Sequence, residues 1–418
     1  MTDFSPPLSG VLQPPPGCPA HRTALYTEDF AADPHTVYDD LRRHGPTAPV
    51  DIAPSVPATL VTGYQCALHV LKDPGLFVKD SRPWQDTVPQ DSPILAVVSW
   101  RPNALFADGV AHARLRDAVS SSLRGVDLMV LRTQVTEIAD TLIAGFADSG
   151  RVDLLHDYAK PLALAVFTRL FGCPHDLGQR LMVDTQAIFD GADPEQANAR
   201  LGHTLSELID LKRRRPGRDV VTRLMQHPAR LSQEELAANL LVMMGAGSEP
   251  EANLIGNALY RLLTDTAVAD DVAEGTMPVE DALDTVLWRD PPMSNYLLTF
   301  PTGDVDLDGV CLAAGQPVVI SIAAANTDPT LPPGQRNRAH LAFSAGVHAC
   351  PAQQMARLIA SAAIDTLLDR LHGLRLDPAS GPPRWRAAPF TRGLTALPAV
   401  FPPPVRPAPE PSTSGATS

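Results

Sequence analysis

Cysteine is the residue type in this chain most able to act as a soft metal ligand or a nucleophile, and there are five, at positions 18, 66, 173, 311 and 350. They are widely scattered, without the close spacing of a zinc site. Their odd number argues against a disulfide framework. A chemically active cysteine should therefore act alone, and most of the five should be buried small hydrophobes. Cys350 stands apart through its surroundings. Residues 341–357 read L-A-F-S-A-G-V-H-A-C-P-A-Q-Q-M-A-R, and a helical pattern begins just after the cysteine. A thiolate at a helix start is stabilised by free backbone N–H groups and by the helix dipole. Two further groups have the composition for chemistry. His112 and Arg116 have the i, i+4 spacing that sets two cations on one helical face, which suits carboxylate partners. The segment 245–253, G-A-G-S-E-P-E-A-N, carries Glu249 and Glu251 around a proline inside an otherwise helical run.

These residues need a frame to position them. From about 25 to 300 the pattern is mostly helical. Phe30 to His44 reads as one amphipathic helix ending before Gly45-Pro46, and 109–125, 128–149 and 153–172 read the same way. Ser232-x-x-Glu235 is a capping box that opens an apolar helix over about 233–264. At ~1.5 Å per residue it would exceed roughly 40 Å and cross the whole molecule. Thr59–Thr62, Asp304–Leu307 and Pro317–Ile322 read as strands, and a last helix runs from Cys350 to about 373. The expected fold is mainly α with a small β part (α+β), the helices flanked by a small antiparallel sheet. No repeat or internal linker divides the chain, so one domain is expected over 21–401. The Pro-, Ser- and Gly-rich ends, 1–20 and 402–418, are expected to be disordered.

The segment around Cys350 resembles the haem-binding loop of bacterial cytochromes P-450, Phe-x-x-Gly-x-His-x-Cys-x-Gly/Ala followed by a helix carrying Ala-Arg. Phe343, Gly346, His348, Cys350, Ala352, Ala356 and Arg357 fall at matching positions. His112-x-x-x-Arg116 is similar to the family's propionate-facing helix, and V-V-I-S-I-A-A-A-N-T-D-P, 318–329, is similar to the strand and segment that precede the haem loop. The resemblance covers roughly residues 25 to 400. It implies a single-domain triangular prism with haem b between the long central helix and the cysteine loop. Cys350 would be the thiolate ligand of the iron, with His112, Arg116 and His348 at the propionates, Phe343 packed on the sulfur side and Gly346 supplying the turn. A thiolate ligand pushes electron density to iron and favours O–O cleavage.

The chain departs from the family in several places. The central helix of the family carries Ala-Gly-x-Asp/Glu-Thr. Ala246, Gly247 and Glu249 match, but Pro250 replaces the threonine, whose hydroxyl assists proton delivery during O2 activation. Proline still removes an i→i−4 hydrogen bond, freeing the Ala246 carbonyl and kinking the helix, so a groove for O2 and water is expected to persist. Glu249 or Glu251 would then relay protons through water. The Glu-x-x-Arg pair before the Pro291-Pro292 turn is missing. Thr285 and Trp288 occupy its positions, with Asp284 and Arg289 each one residue off, as in a minority of actinobacterial members. Thr299 replaces a strand arginine that contacts a propionate. Pro351 has no N–H to donate to the sulfur, so a more electron-rich thiolate and a lower reduction potential are expected.

The family implies oxidation of a small or peptide substrate with O2 and two electrons, hydroxylation or oxidative aryl coupling in secondary metabolism. The electrons must come from a separate ferredoxin and reductase, since no redox domain or nucleotide-binding Gly motif is apparent. Pro250 leaves two alternatives open: a peroxide-driven peroxygenase and a non-catalytic haem-binding recruitment protein. Candidate substrate contacts are Trp100, Met243, Asn295 and Leu297. A net charge of −13 and a pI near 5.3 disfavour nucleic acid and anionic membranes as partners. The acidic, Pro-rich M-T-D-F-S-P-P start has no signal-peptide character and no 18-residue apolar run occurs, so a cytoplasmic protein is expected; a monomer is the expected state.

Overall fold

A computed structural model describes residues 22–189, 193–332 and 338–402. The expected disordered ends, apart from Pro402, lie outside the described residues. One helix of 32 residues, Gln233–Thr264, forms the axis of the fold. Its start is the expected capping box: the Glu235 N–H donates to Ser232 Oγ at 3.1 Å, and the Ser232 N–H donates to Glu235 Oε2 at 2.8 Å. It runs unbroken through Pro250. Its flanks pack against the helices Lys160–Phe171, Pro194–Arg214, Val279–Arg289 and Gln353–Arg370. Leu155, Leu240, Ile255, Leu259, Leu283 and Ile364 are buried between them. Removing that much apolar surface from water, about 25 cal/mol per Å2, is what holds so long a helix in place.

The helix expected over Phe30–His44 is two, Glu28–Ala32 and Pro34–Arg42. Proline at 34 denies the first helix its continuation and disfavours the helical conformation at Asp33. Asp33 instead caps the second, its Oδ1 accepting from the Thr36 N–H at 3.2 Å. The segment 153–172 likewise begins with a π-helical turn, Leu154–Ala159, before Lys160–Phe171.

The main sheet is mixed, where a purely antiparallel one was expected. Its six strands run in the order Thr23–Ala24, Thr47–Ala53, Val56–Val61, Val318–Ser321, Asn295–Pro301, Phe77–Val78. The first pair and the Val56–Val61/Val318–Ser321 pair are parallel. The cause is connectivity: apart from the short edge strand Phe77–Val78, the chain leaves the sheet after Val61 for the helical body and returns late, inserting Val318–Ser321 between Val56–Val61 and Asn295–Pro301. Alternation along the strands then serves two cores. Leu60 and Val319 face Tyr38 and Ile52 on one side, while Val61, Val318 and Ile320 face Ala67, Val70 and Leu341 on the other.

Candidate active site

The central helix and the cysteine loop face one another across a cavity. Met243, Ala246, Gly247, Pro250, Glu251 and Leu254 line it from the helix, recurring every three or four residues on one face. Phe343, His348, Cys350, Pro351 and Met355 line it from the loop and the helix that follows. The loop has a fixed shape. Gly346 has φ +70°, and a Cβ there would meet the Leu71 carbonyl oxygen at 2.1 Å, so only glycine fits. The Cys350 N–H donates to the Phe343 carbonyl at 2.8 Å and closes the turn.

Cys350 is exposed only in the sense that it faces this cavity. The protein mass around it pushes its thiol pKa up by desolvation, against which the Ala352 N–H and the charge of Arg116 act. The Ala352 N–H stands 3.4 Å from the sulfur. One backbone donor to sulfur therefore survives the proline at 351, two residues on from the cysteine.

Basic side chains gather at one edge. The rings of His112 and His348 lie 4.1 Å apart, and Arg116 Nη2 donates to the Ala349 carbonyl of the loop. His348 Nε2 is 3.9 Å from Asp108 Oδ1. Burial first, then the charges of His348 and Arg116, depress the His112 pKa to about 4, and burial also lowers that of His348. His112 Nε2 is buried without a hydrogen-bond partner. A fourth cation was not singled out in the sequence. Lys79 is buried, with Nζ 3.4 and 3.3 Å from the Leu297 and Leu298 carbonyls and 4.3 Å from the Tyr296 ring centroid. Burial lowers its pKa to about 7, against the attraction of Asp108. The pairing Val78↔Phe300 sets Lys79 beside Thr299, whose hydroxyl donates to the Val78 carbonyl at 2.9 Å. A cation thus stands next to the strand position where the arginine is missing. Only a reading of strand pairing would have found it.

Four basic groups against one carboxylate leave the edge short of negative charge, and one of their imidazole nitrogens, His112 Nε2, has no hydrogen-bond partner. A single thiol and a basic rim fit a haem: Cys350 would supply a thiolate to its iron, and His112, Arg116, His348 and Lys79 would hold its two propionates.

The other expected residues are distributed as follows. Ala246, Gly247 and Pro250 line the cavity, and a Cβ on Gly247 would strike Phe167. Glu249 does not reach it: the carboxylate pairs with Arg386 and accepts from Asn253 Nδ2 at 3.3 Å. Glu251 does line it, buried, with Oε1 unpartnered and its pKa raised well above the ordinary carboxyl range by desolvation. Leu297 and Met243 are cavity residues. Trp100 and Asn295 line neither this cavity nor its neighbour. Trp100 lies under the Arg82 guanidinium, and Asn295 is locked in the interior by Tyr38 Oη at 3.2 Å and the Pro389 carbonyl at 2.6 Å.

No family model matches the chain. Curated relatives do match over most of their length. The cytochrome P-450 monooxygenase PikC of Streptomyces venezuelae is 35% identical over 387 residues, covering 89% of this chain and 92% of that protein. The vitamin D(3) 25-hydroxylase of Pseudonocardia autotrophica is 30% identical, with coverages of 91% and 96%. This chain belongs to the cytochrome P-450 family. Among solved structures, CYP154A1 from Streptomyces coelicolor A3(2) superposes with a TM-score of 0.82 at 30% identity, over 91% of this chain and all of that one. The haem-thiolate assignment and the α+β fold of single-domain cytochromes P-450 follow from these likenesses. So does the haem cofactor in general terms.

As a cytochrome P-450 the chain is unusual where the Glu-x-x-Arg pair should be. Thr285 and Trp288 do not replace it. Asp284, one residue earlier, takes up the charge and receives Arg357 from the helix after the cysteine loop. Trp288 packs edge-on against His340, ring centroids 5.8 Å apart, and His340 in turn approaches Asp284.

Proposed function

We propose that this cytochrome P-450 binds haem b through Cys350 and hydroxylates a small, mostly apolar molecule with O2 and electrons from a separate ferredoxin and reductase. The observation that carries this reading is the junction of two cavities. A second, apolar cavity adjoins the cysteine cavity, and Leu105, Val242, Ala246, Met293 and Leu297 face both. A molecule held in the second chamber would lie directly against whatever Cys350 and its cation rim hold. That chamber has the character of a small-molecule site, apolar with few polar groups.

The bound haem would supply the redox chemistry, made more reactive by the electron push of its thiolate. The protein's own residues do the remainder. Cys350 supplies the ligand, with the Ala352 N–H on its sulfur. His112, Arg116, His348 and Lys79 hold and orient the carboxylates. The apolar walls exclude water. With Pro250 in place of an alcohol, Glu251 is the acid that lines the cavity, and its unpartnered Oε1 is the group placed to hold a proton there. The names of the relatives, a monooxygenase and a hydroxylase, support oxygen insertion over aryl coupling.

Pro250 favours a second reading, a peroxide-driven oxidation, since peroxide brings its own protons and electrons. The deciding experiment has two stages. A reduced, CO-treated absorption spectrum should show the red-shifted Soret band of a thiolate-ligated haem; a band typical of histidine ligation in fresh protein would overturn the Cys350 assignment. Turnover with a ferredoxin, reductase and O2 should then exceed turnover with peroxide; the reverse order would select the second reading.

A further inference from the structure

Arg101 is the one charged residue in the lining of the second cavity among the described residues. Its guanidinium is held against the wall by neutral acceptors alone: Nη1 donates to the Ser99 carbonyl at 3.3 Å, and Nη2 to the Ala96 carbonyl at 2.9 Å and to Asn198 Oδ1 at 3.4 Å. None of the ion pairs of the described residues includes it. Two other polar groups of the lining are already engaged. Asn103 Oδ1 accepts from the Leu105 and Phe106 N–H groups at 3.0 and 3.1 Å, and the Thr185 hydroxyl donates to the Leu181 carbonyl at 2.7 Å.

A cation taken from water into an apolar chamber is costly unless an anion joins it. Burial here acts on Arg101 with no opposing carboxylate to restore its pKa. Guanidinium also keeps its charge under any such pressure, so the site cannot relax by losing a proton. Three carbonyl-type acceptors use part of its five-donor fork and fix its direction. What they do not supply is the countercharge.

We propose that the substrate of this enzyme carries a carboxylate, or an equivalent anionic group, that pairs with Arg101, while its apolar body extends past Met293 and Leu297 toward the cysteine cavity. This rests on the reading of the second cavity as the substrate chamber. It assigns a polarity to that chamber: the anionic end lies at Arg101, and the carbon to be oxidised lies at the end walled by Ala246 and Leu297.

The test compares three acids with the alcohols of the same skeleton, octanoate with 1-octanol, tetradecanoate with 1-tetradecanol, and 2-naphthoate with 2-naphthalenemethanol. Binding to the haem-loaded protein is followed by calorimetry and by the Soret shift. At least one acid should bind tenfold or more tightly than its alcohol, a difference of about 1.4 kcal/mol. Arg101→Gln should abolish that preference with little change in alcohol binding, and Arg101→Lys should restore part of it. The unfolding midpoint and the CO spectrum of each variant show that fold and haem ligation are intact. Equal binding of acids and alcohols across all three pairs would overturn the proposal, as would a preference that survives in Arg101→Gln. Neither result would touch the Cys350 assignment, which the CO spectrum tests separately.

Discussion

Asp284 and Arg357 form a two-pronged ion pair, with Arg357 Nη2 standing 2.9 Å from Asp284 Oδ2 and Nη1 beside Oδ1. The pair ties the helix Val279–Arg289 to the helix Gln353–Arg370 that carries the end of the cysteine loop. His340 Nε2 and Arg338 Nε approach the same carboxylate at 3.3 and 3.4 Å. Burial alone would raise the Asp284 pKa. The hydrogen bonds from His340 and Arg357 and the charge of Arg357 outweigh it and hold the carboxyl at about 2. A folded pKa below the unfolded value stabilises the protein above about pH 4, and the contribution is lost as pH falls toward 2. A shift of nearly two units is worth on the order of 2 kcal/mol. Asp284→Asn should therefore lower stability at pH 7 by roughly 2–4 kcal/mol, since it also strands Arg357, and by about half as much near pH 3. Denaturant melts at the two pH values check this; an equal loss at both would refute the assigned charge role.

The basic rim makes a prediction of the same sign in a higher pH window. His112 titrates near 4 in the fold and near 6.5 in an unfolded chain, so the unfolded chain binds its proton first. The haem-free protein should lose stability as pH falls from about 6.5 to about 4, and His112→Phe should flatten that slope. In the haem-loaded protein, His112→Ala and Lys79→Met should each speed haem transfer to apomyoglobin by roughly tenfold, the effect of losing one charge-assisted hydrogen bond. Unchanged transfer rates in both variants would remove these residues from the propionate set.

Glu249 and Glu251, both acidic and two residues apart, should behave differently. Glu249→Gln breaks the ion pair with Arg386 and should act on stability, leaving the solvent isotope effect on turnover as it was. Glu251→Gln removes the acid that lines the cavity and should change that isotope effect while raising the share of reducing equivalents lost as peroxide. Pro250→Thr should lower the peroxide share. Measuring peroxide per NADPH consumed across the three variants separates the roles.

Pro351→Leu restores an N–H next to the cysteine. A second donor beside Ala352 N–H would draw charge from the sulfur, so the reduction potential should rise. A spectroelectrochemical titration showing a fall, or no change, would mean that Ala352 already saturates the thiolate.

Leu297 faces both cavities, whereas Trp100 and Asn295 face neither. Leu297→Ala should alter ligand-induced Soret shifts, and Trp100→Phe should not. Asn295→Ala should instead cost stability, because it leaves Tyr38 Oη and the Pro389 carbonyl without their partner. A ligand-affinity change of tenfold in Trp100→Phe would contradict the placement.

Much of this was legible in the residues. The Ser232/Glu235 box, the 233–264 helix and the cysteine loop depend on local spacing, and local spacing survives folding. The break at Asp33-Pro34 is equally local, but hydrophobic periodicity continues through it and masks it. Other features were not legible because they join distant segments. Lys79 meets Thr299 only through strand pairing, Asp284 meets Arg357 across 73 positions, and Arg101 becomes a wall residue only once the chamber closes around it. The commitment of Glu249 to Arg386, 137 positions away, is of the same kind.

The fit of Gly346 against the Leu71 carbonyl has a consequence for biosynthesis. The loop that offers Cys350 is moulded on a helix made nearly three hundred residues earlier, so its shape exists only once the late segment docks on the early one. A nascent chain stalled before this loop would carry most of the helical body and none of the thiolate seat. Cofactor capture should accordingly be one of the last events in maturation, and chains released short of it should emerge colourless.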